Sequence, residues 1–186
     1  MNRAGLAAAW LTLLLPACTS MPIQEDNCAA LGRVELCLAG SGALPFTGLQ
    51  SSVLQSGNTR ETLILQLEND ARGLRLAGFT PMGQTLLQAQ QIDGHFQADG
   101  PAADKFDARI LLATIQLAWW PLDRLRQTYQ QRGLDVEESA PGVLPRERTL
   151  VREGETLLRI RYGKGHDVDM ETTGLRLQVT TLEWLD

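Results

Sequence analysis

The chain has 186 residues, a formal net charge of −5 and only 5% aromatic residues. That length supports one domain with a sizeable core, and acids and bases spread throughout leave no polybasic face, which excludes nucleic-acid binding. Leucine recurs in nearly every apolar run, so a soft aliphatic core is expected.

Residues 1–17 read as a signal peptide. Met1-Asn2-Arg3 is a short basic start, and Ala4 to Leu15 is an apolar stretch too short to span a bilayer. It runs into Leu15-Pro16-Ala17-Cys18, which looks like a lipobox, where acyl chains on Cys18 would replace the export signal. Each buried methylene would contribute about 0.8 kcal/mol to membrane partitioning. An ordinary secretory signal cut near Ala17 is the alternative. Thr19, in place of a retaining aspartate, points to the periplasmic face of the outer membrane.

Residues 18–32 are expected to be the lipidated N-terminus and tether, and residues 33–186 the folded domain. Cys28 and Cys37 remain as an even pair in an oxidising compartment, which suits a disulfide stapling the tether to the first strand. A redox or metal pair would use closer spacing and histidine companions.

Strands are expected over Arg33 to Leu38 and Phe46 to Gln55. In Glu61 to Glu68, Leu63, Leu65 and Leu67 alternate with Ile64 and Gln66, and Leu74, Leu76 and Gly78 continue the pattern after an Asn69-to-Gly73 turn. A Pro81-Met82-Gly83 turn sends the chain back through Gln84 to Ile92, and the hairpin signal Asp93-Gly94 leads into His95 to Ala98. The turn places a flexible apolar side chain at a loop tip.

Asp104 to Trp120 has helical spacing, with Asp104 or Asp107 as its cap. From Ile110 to Trp120 it is apolar on nearly every side except Thr114 and Gln116, yet as a helix spans only about 17 Å. It must be buried in protein or cover something apolar. Pro121 restarts a second helix, with Leu122, Leu125 and Tyr129 as its stripe, ending near Gly133. Leu134 to Glu138, Arg148 to Arg152, Glu155 to Tyr162 and Leu175 to Trp184 read as strands, separated by loops at Ser139 to Pro145 and Gly163 to Asp167. Strands, two helices, then strands fit a mostly β fold: one curved antiparallel sheet with inserted helices on its concave face.

Two resemblances sharpen this. Leu63 to Gln90, centred on Phe79-Thr80-Pro81-Met82-Gly83-Gln84-Thr85, resembles the strand-loop-strand of LolB, the outer-membrane lipoprotein receptor served by the carrier LolA. Pro121-Leu122-Asp123-Arg124-Leu125-Arg126-Gln127 is similar to the start of a LolB helix, and Leu175 to Trp184 to its last strand. A closer likeness is to a family of bacterial lipoproteins described as a domain of unknown function, whose genes often lie near polyene or fatty-acid-like biosynthesis genes. It shares the Thr-Pro-Met-Gly turn, Leu117-Ala118-Trp119-Trp120-Pro121-Leu122 and Thr180-Thr181-Leu182-Glu183.

The resemblance implies a half-open antiparallel β-barrel, LolA/LolB-like, whose helices plug or lid a hydrophobic cavity. Ile110, Leu111, Ile115, Leu117, Trp119, Trp120, Leu122 and Leu125 would form that wall or lid, although for Trp119 and Trp120 plain core packing is an equal reading. Met82 stands where LolB carries a membrane-engaging leucine, flanked by Pro81 and Gly83; the alternative is a turn methionine folded back on the sheet. The implied partners are the membrane, acyl chains of lipid or lipoprotein cargo, and a LolA-like periplasmic carrier, with the protein itself a monomer.

Enzymatic motifs are missing: there is no G-x-S-x-G elbow, H-E-x-x-H helix, phosphate-binding glycine loop or C-x-x-C pair. His166 with Asp167 and Asp169 is a weak candidate for a metal site or dyad, and turn solubility explains it as well. The expectation is a non-enzyme without cofactor or metal that binds or transfers an acylated ligand. The alternative is a structural or assembly lipoprotein with a filled core, acting through a protein partner.

Overall fold

The computed structural model describes residues 27–104, 106–139 and 146–186. The expected signal peptide, the lipobox reading at Cys18, the expected tether before Asn27 and most of the Ser139-to-Pro145 loop therefore lie outside the described residues.

Strands dominate, as alternation demands. β1 (Cys28–Leu31) and β2 (Val34–Cys37) form a small separate hairpin. β3 (Phe46–Ser56), β4 (Thr59–Asp70), β5 (Gly73–Phe79), β6 (Thr85–Ile92) and β7 (His95–Asp99) run as one meander. Two helices follow, α1 (Ala108–Trp119) and α2 (Leu122–Gln130). A second meander comprises β8 (Asp135–Ser139), β9 (Glu147–Arg152), β10 (Glu155–Tyr162), β11 (Val168–Thr172) and β12 (Leu175–Leu185).

The two meanders make one ten-stranded antiparallel sheet in the order β7-β6-β5-β4-β3-β12-β11-β10-β9-β8. They join only where β12 pairs with β3, at the centre. β7 and β8 are its edges, so the sheet is open rather than closed into a barrel. The helices carry the chain from one edge to the other across the inner face. Two departures from expectation stand out. β1 forms where a tether was expected, because Cys28–Leu31 can pair residue for residue with Val34–Cys37 around Gly32, whose φ is 62°. β11 forms just beyond the expected Gly163-to-Asp167 loop, where no strand was expected: Val168 and Met170 are buried, while the neighbouring Asp169 and Glu171 hide the pattern.

Turn chemistry fixes the register. Asp93-Gly94 and Glu153-Gly154 each place two consecutive residues at positive φ (51° and 83° in both), as a tight two-residue hairpin requires. Gly73 is obligatory for another reason: a Cβ there would lie 1.9 Å from the Gln91 carbonyl oxygen.

Asp107, rather than Asp104, caps α1. Its side chain accepts the Arg109 N–H at 3.0 Å, and the Arg109 guanidinium beside it holds its carboxyl below the usual value. Ten of the twelve α1 residues are buried, because the helix lies between the sheet on one side and the β1–β2 hairpin on the other. It stops where Trp120 turns extended and Pro121 cannot supply the next N–H. Its terminal carbonyls are satisfied from the sheet. Arg148 on β9, 6% exposed, donates to the carbonyls of Leu117, Ala118 and Trp120, and the Tyr162 hydroxyl donates to Ala118 at 2.8 Å. A guanidinium at a helix C-terminus also complements the helix dipole.

Candidate functional site

The turn between β5 and β6 is built by Thr80. Its carbonyl accepts the Gly83 N–H (2.9 Å), its N–H donates to the Gln84 carbonyl (2.9 Å), and its hydroxyl accepts the Gln84 N–H (3.1 Å). Gly83 takes the positive φ of 84° that closes the loop. With the turn braced from within, Met82 has no need to pack, and it is 92% exposed between exposed Pro81 and Gly83. It does not fold back on the sheet. Beyond the turn Leu86 bulges out of register, and its carbonyl accepts the Ala102 N–H, steering the chain toward α1.

The predicted wall residues divide. Ile110, Leu111, Ile115, Leu117, Trp120 and Leu125 are buried in the core, while Trp119 and Leu122 are half-buried at its margin. At roughly 1.5–3 kcal/mol per fully buried large apolar side chain, α1 is a principal part of the core. The arrangement brings the α1 set together and leaves Met82 apart, on an outer turn.

Three polar side chains stitch the hairpin to these helices. The Gln116 amide pairs with both the N–H and the carbonyl of Ala39, and donates to Gln91 of β6. The Tyr129 hydroxyl accepts the Cys37 N–H (3.1 Å) and donates to the Cys37 carbonyl (3.0 Å); burial pushes its pKa well above the ordinary phenol value. Trp120 Nε1 donates to the Gly40 carbonyl at 3.0 Å. Cys28 and Cys37 are disulfide-bonded across the hairpin, as expected. The bridge thus ties the N-terminal strand pair to itself, and Tyr129 ties that pair to α2.

A second cluster forms at the opposite end of the sheet from Met82. Trp184 near the end of β12 is stacked between Phe46 (4.5 Å between ring centroids) and His166 (4.2 Å), with Trp119 5.0 Å away. Gly48 makes this possible, because a Cβ there would come within 2.9 Å of the Trp184 ring. Sequence reading missed the cluster: its members come from four separated segments, and only the run Trp119-Trp120 was a visible signal.

In the His166 region the candidate metal or dyad residues are engaged with other partners. Asp167 accepts the Thr181 N–H, Asp169 pairs with Arg176, and His166 is held by aromatic rings. No group of three or more histidine, cysteine, aspartate or glutamate side chains suited to a metal occurs among the described residues. His95 is exposed beside its turn.

Among the cavities on the surface of the described residues, two are notable. One, of about 590 Å³, lies against the outer face of β4 to β7, lined by polar groups including Gln66, Glu68, Arg75, Gln88 and Gln97. The other, of about 850 Å³, runs between the hairpin and α2, past Cys37, Arg124, Gln127 and Arg132. Neither is the apolar inner-face cavity that the resemblance implied. No helix of the described residues is long and apolar enough to cross a membrane.

The sequence matches none of the curated proteins. Over residues 49–183, from within β3 to within β12, it matches a family described as Protein of unknown function (DUF3261). That span contains both helices, the Met82 turn and the second meander, so the chain belongs to the DUF3261 family.

Proposed function

We propose that this chain is an outer-membrane-anchored periplasmic lipoprotein that binds or transfers an acylated ligand, either a lipid or a lipoprotein. The observation that carries the reading is Met82: an apolar side chain 92% exposed on a turn braced by its own backbone. A soluble domain has no folding reason to hold methionine there, whereas an acyl chain offers it a partner. The likeness of Phe79 to Gln84 and of Pro121 to Gln127 to LolB supports the same reading, as does the lipobox at Cys18. Acyl methylenes would be buried against α1 and the inner face, so binding requires α1 and the hairpin to part from the sheet. The bonds that such a movement breaks are those between helix and sheet: Gln116 to Gln91, Arg148 to the carbonyls of Leu117, Ala118 and Trp120, and Tyr162 to the Ala118 carbonyl.

A second reading is favoured by a specific observation. The inner face is filled by α1 side chains, among them Leu112 and Leu117 at 0% and 1% exposure. On that reading the protein is an assembly lipoprotein with a filled core that acts through a protein partner.

Mass spectrometry separates the two. Protein exported behind a cleavable secretory signal in place of residues 1–18 is purified without detergent and extracted with organic solvent. Near-stoichiometric lipid in the extract, reduced by Met82→Glu, supports acyl binding. An empty extract, with Met82→Glu leaving the cellular function intact, sinks it in favour of the filled core.

A further inference from the structure

Opposite ends of the sheet carry different chemistry. β3 starts at Phe46 and β12 finishes at Leu185, paired with Thr47, so both lie at the end where α1 finishes beneath Arg148. The Met82 turn lies at the other end, since Phe79 pairs with Ile64 while Phe46 pairs with Asn69. Along β6 the two ends are about 25 Å apart.

The Phe46 end gathers the amphipathic aromatics. Trp119, Tyr162, His166 and Trp184 are half-buried there, with polar tips directed to partners such as Asp186 and the Ala118 carbonyl. Leu44 and Leu185, 84% and 59% exposed, stand at the same end. Exposed leucines are individually unremarked in any protein surface. Beside two tryptophans and a tyrosine they match the composition of a membrane–water interface, where an apolar ring body meets lipid and its polar tip meets water. Lys164, exposed in the loop beside His166, supplies a cation for phosphate groups.

The route of the N-terminal chain selects the occupant. The Asn27 carbonyl accepts the Leu38 N–H at 2.8 Å, and two residues on, Gly40 is held by Trp120 of the same end. Asn27 is nine residues beyond Cys18. Relaxed, such a segment spans only about 17 Å, and at full stretch about 30 Å. A bilayer at the Phe46 end is within easy reach of an acylated Cys18; a bilayer at the Met82 end would need the segment taut along the height of the sheet.

We propose that the aromatic Phe46 end lies in the headgroup region of the bilayer that holds the Cys18 acyl chains, with Met82 held away from that bilayer. The inference rests on the lipoprotein reading above and adds its orientation. Met82 then meets cargo or carrier arriving from the periplasm, while the protein's own membrane is met by Trp119, Trp184, Leu44 and Leu185.

The test uses the full acylated protein in phosphatidylethanolamine–phosphatidylglycerol vesicles with brominated acyl chains. Three of the four tryptophans, Trp119, Trp120 and Trp184, lie at this end, and Trp10 leaves with the signal peptide. Bromine should quench tryptophan emission and leave a bimane on Met82→Cys unquenched, and the Leu44→Glu/Leu185→Glu double variant should abolish the tryptophan quenching with its circular dichroism unchanged. Quenching of the bimane but not of the tryptophans, or of neither, on protein that carries acyl chains overturns the orientation alone. An N-terminal peptide whose mass shows an unmodified cysteine overturns the anchored reading, and the orientation with it.

Discussion

Gln116 pairs with Ala39 as a neighbouring strand would, its Oε1 accepting the Ala39 N–H at 2.7 Å and its Nε2 donating to the Ala39 carbonyl at 3.1 Å. The other amide hydrogen reaches Gln91 Oε1 at 2.7 Å. One buried polar side chain thereby joins three layers: hairpin exit, helix and sheet. Replacing it leaves several buried groups unpaired, each costing about 1–3 kcal/mol. Gln116→Ala should therefore lower the unfolding free energy by about 3 kcal/mol, read from urea titrations; a loss below about 1 kcal/mol would mean that the bonds add little net stability.

Tyr129 and Tyr162 make stability sensitive to alkali. Burial raises the pKa of both, Tyr162 to about 12 against the opposing pull of Arg148, and Tyr129 further. A folded-state pKa above the unfolded value means full stability below about pH 10, lost as pH rises through the folded value. The melting temperature should fall between about pH 10 and pH 12, and less steeply in Tyr129→Phe, which also costs about 2 kcal/mol at neutral pH for the two bonds to Cys37. Identical alkaline profiles for both proteins would show that Tyr129 is not the group responsible.

Arg148 and Glu138 form an ion pair with side chains 7% and 14% exposed, and the same guanidinium caps α1. Removing one partner strands a buried charge, so Arg148→Met should cost about 3–5 kcal/mol. Arg148→Met combined with Glu138→Leu should recover part of that loss. A double variant no more stable than the single one would assign the whole effect to the uncapped carbonyls of Leu117, Ala118 and Trp120.

Gly48 and Trp184 face each other across β3 and β12. With only 2.9 Å between a new Cβ and the indole ring, Gly48→Ala should cost about 1–3 kcal/mol and shift tryptophan emission. In a Trp184→Leu background the same change should be close to neutral. Equal costs in both backgrounds would place the strain in the β3 backbone instead.

Most of the sheet was legible because leucine alternation in β4 and β5 and the Asp93-Gly94 turn are local signals. The apolar surround of α1 correctly announced burial, but not what buries it. That depends on β1, whose Cys28-Ala29-Ala30-Leu31 carries no alternation and pairs only through proximity to β2. Arg148 and Tyr129 look like ordinary wet-face or stripe residues until the fold brings distant carbonyls to them. Met82 was legible as a loop tip, its exposure following from Thr80 and Gly83. The Phe46 end was not, because ring contacts among Phe46, Trp119, His166 and Trp184, from four separate segments, leave no periodic trace.

The join between the meanders has a temporal meaning. Gln50 and Thr181, hydrogen-bonded across β3 and β12, are 131 residues apart. Because β12 enters at the centre of the sheet and not at an edge, each half has an open flank until it arrives. A chain emerging from synthesis thus presents β3 and β11 as unpaired templates until β12 follows. Closure is slow by loop entropy, and in that interval the open flanks are exposed to mispairing with other copies of the chain.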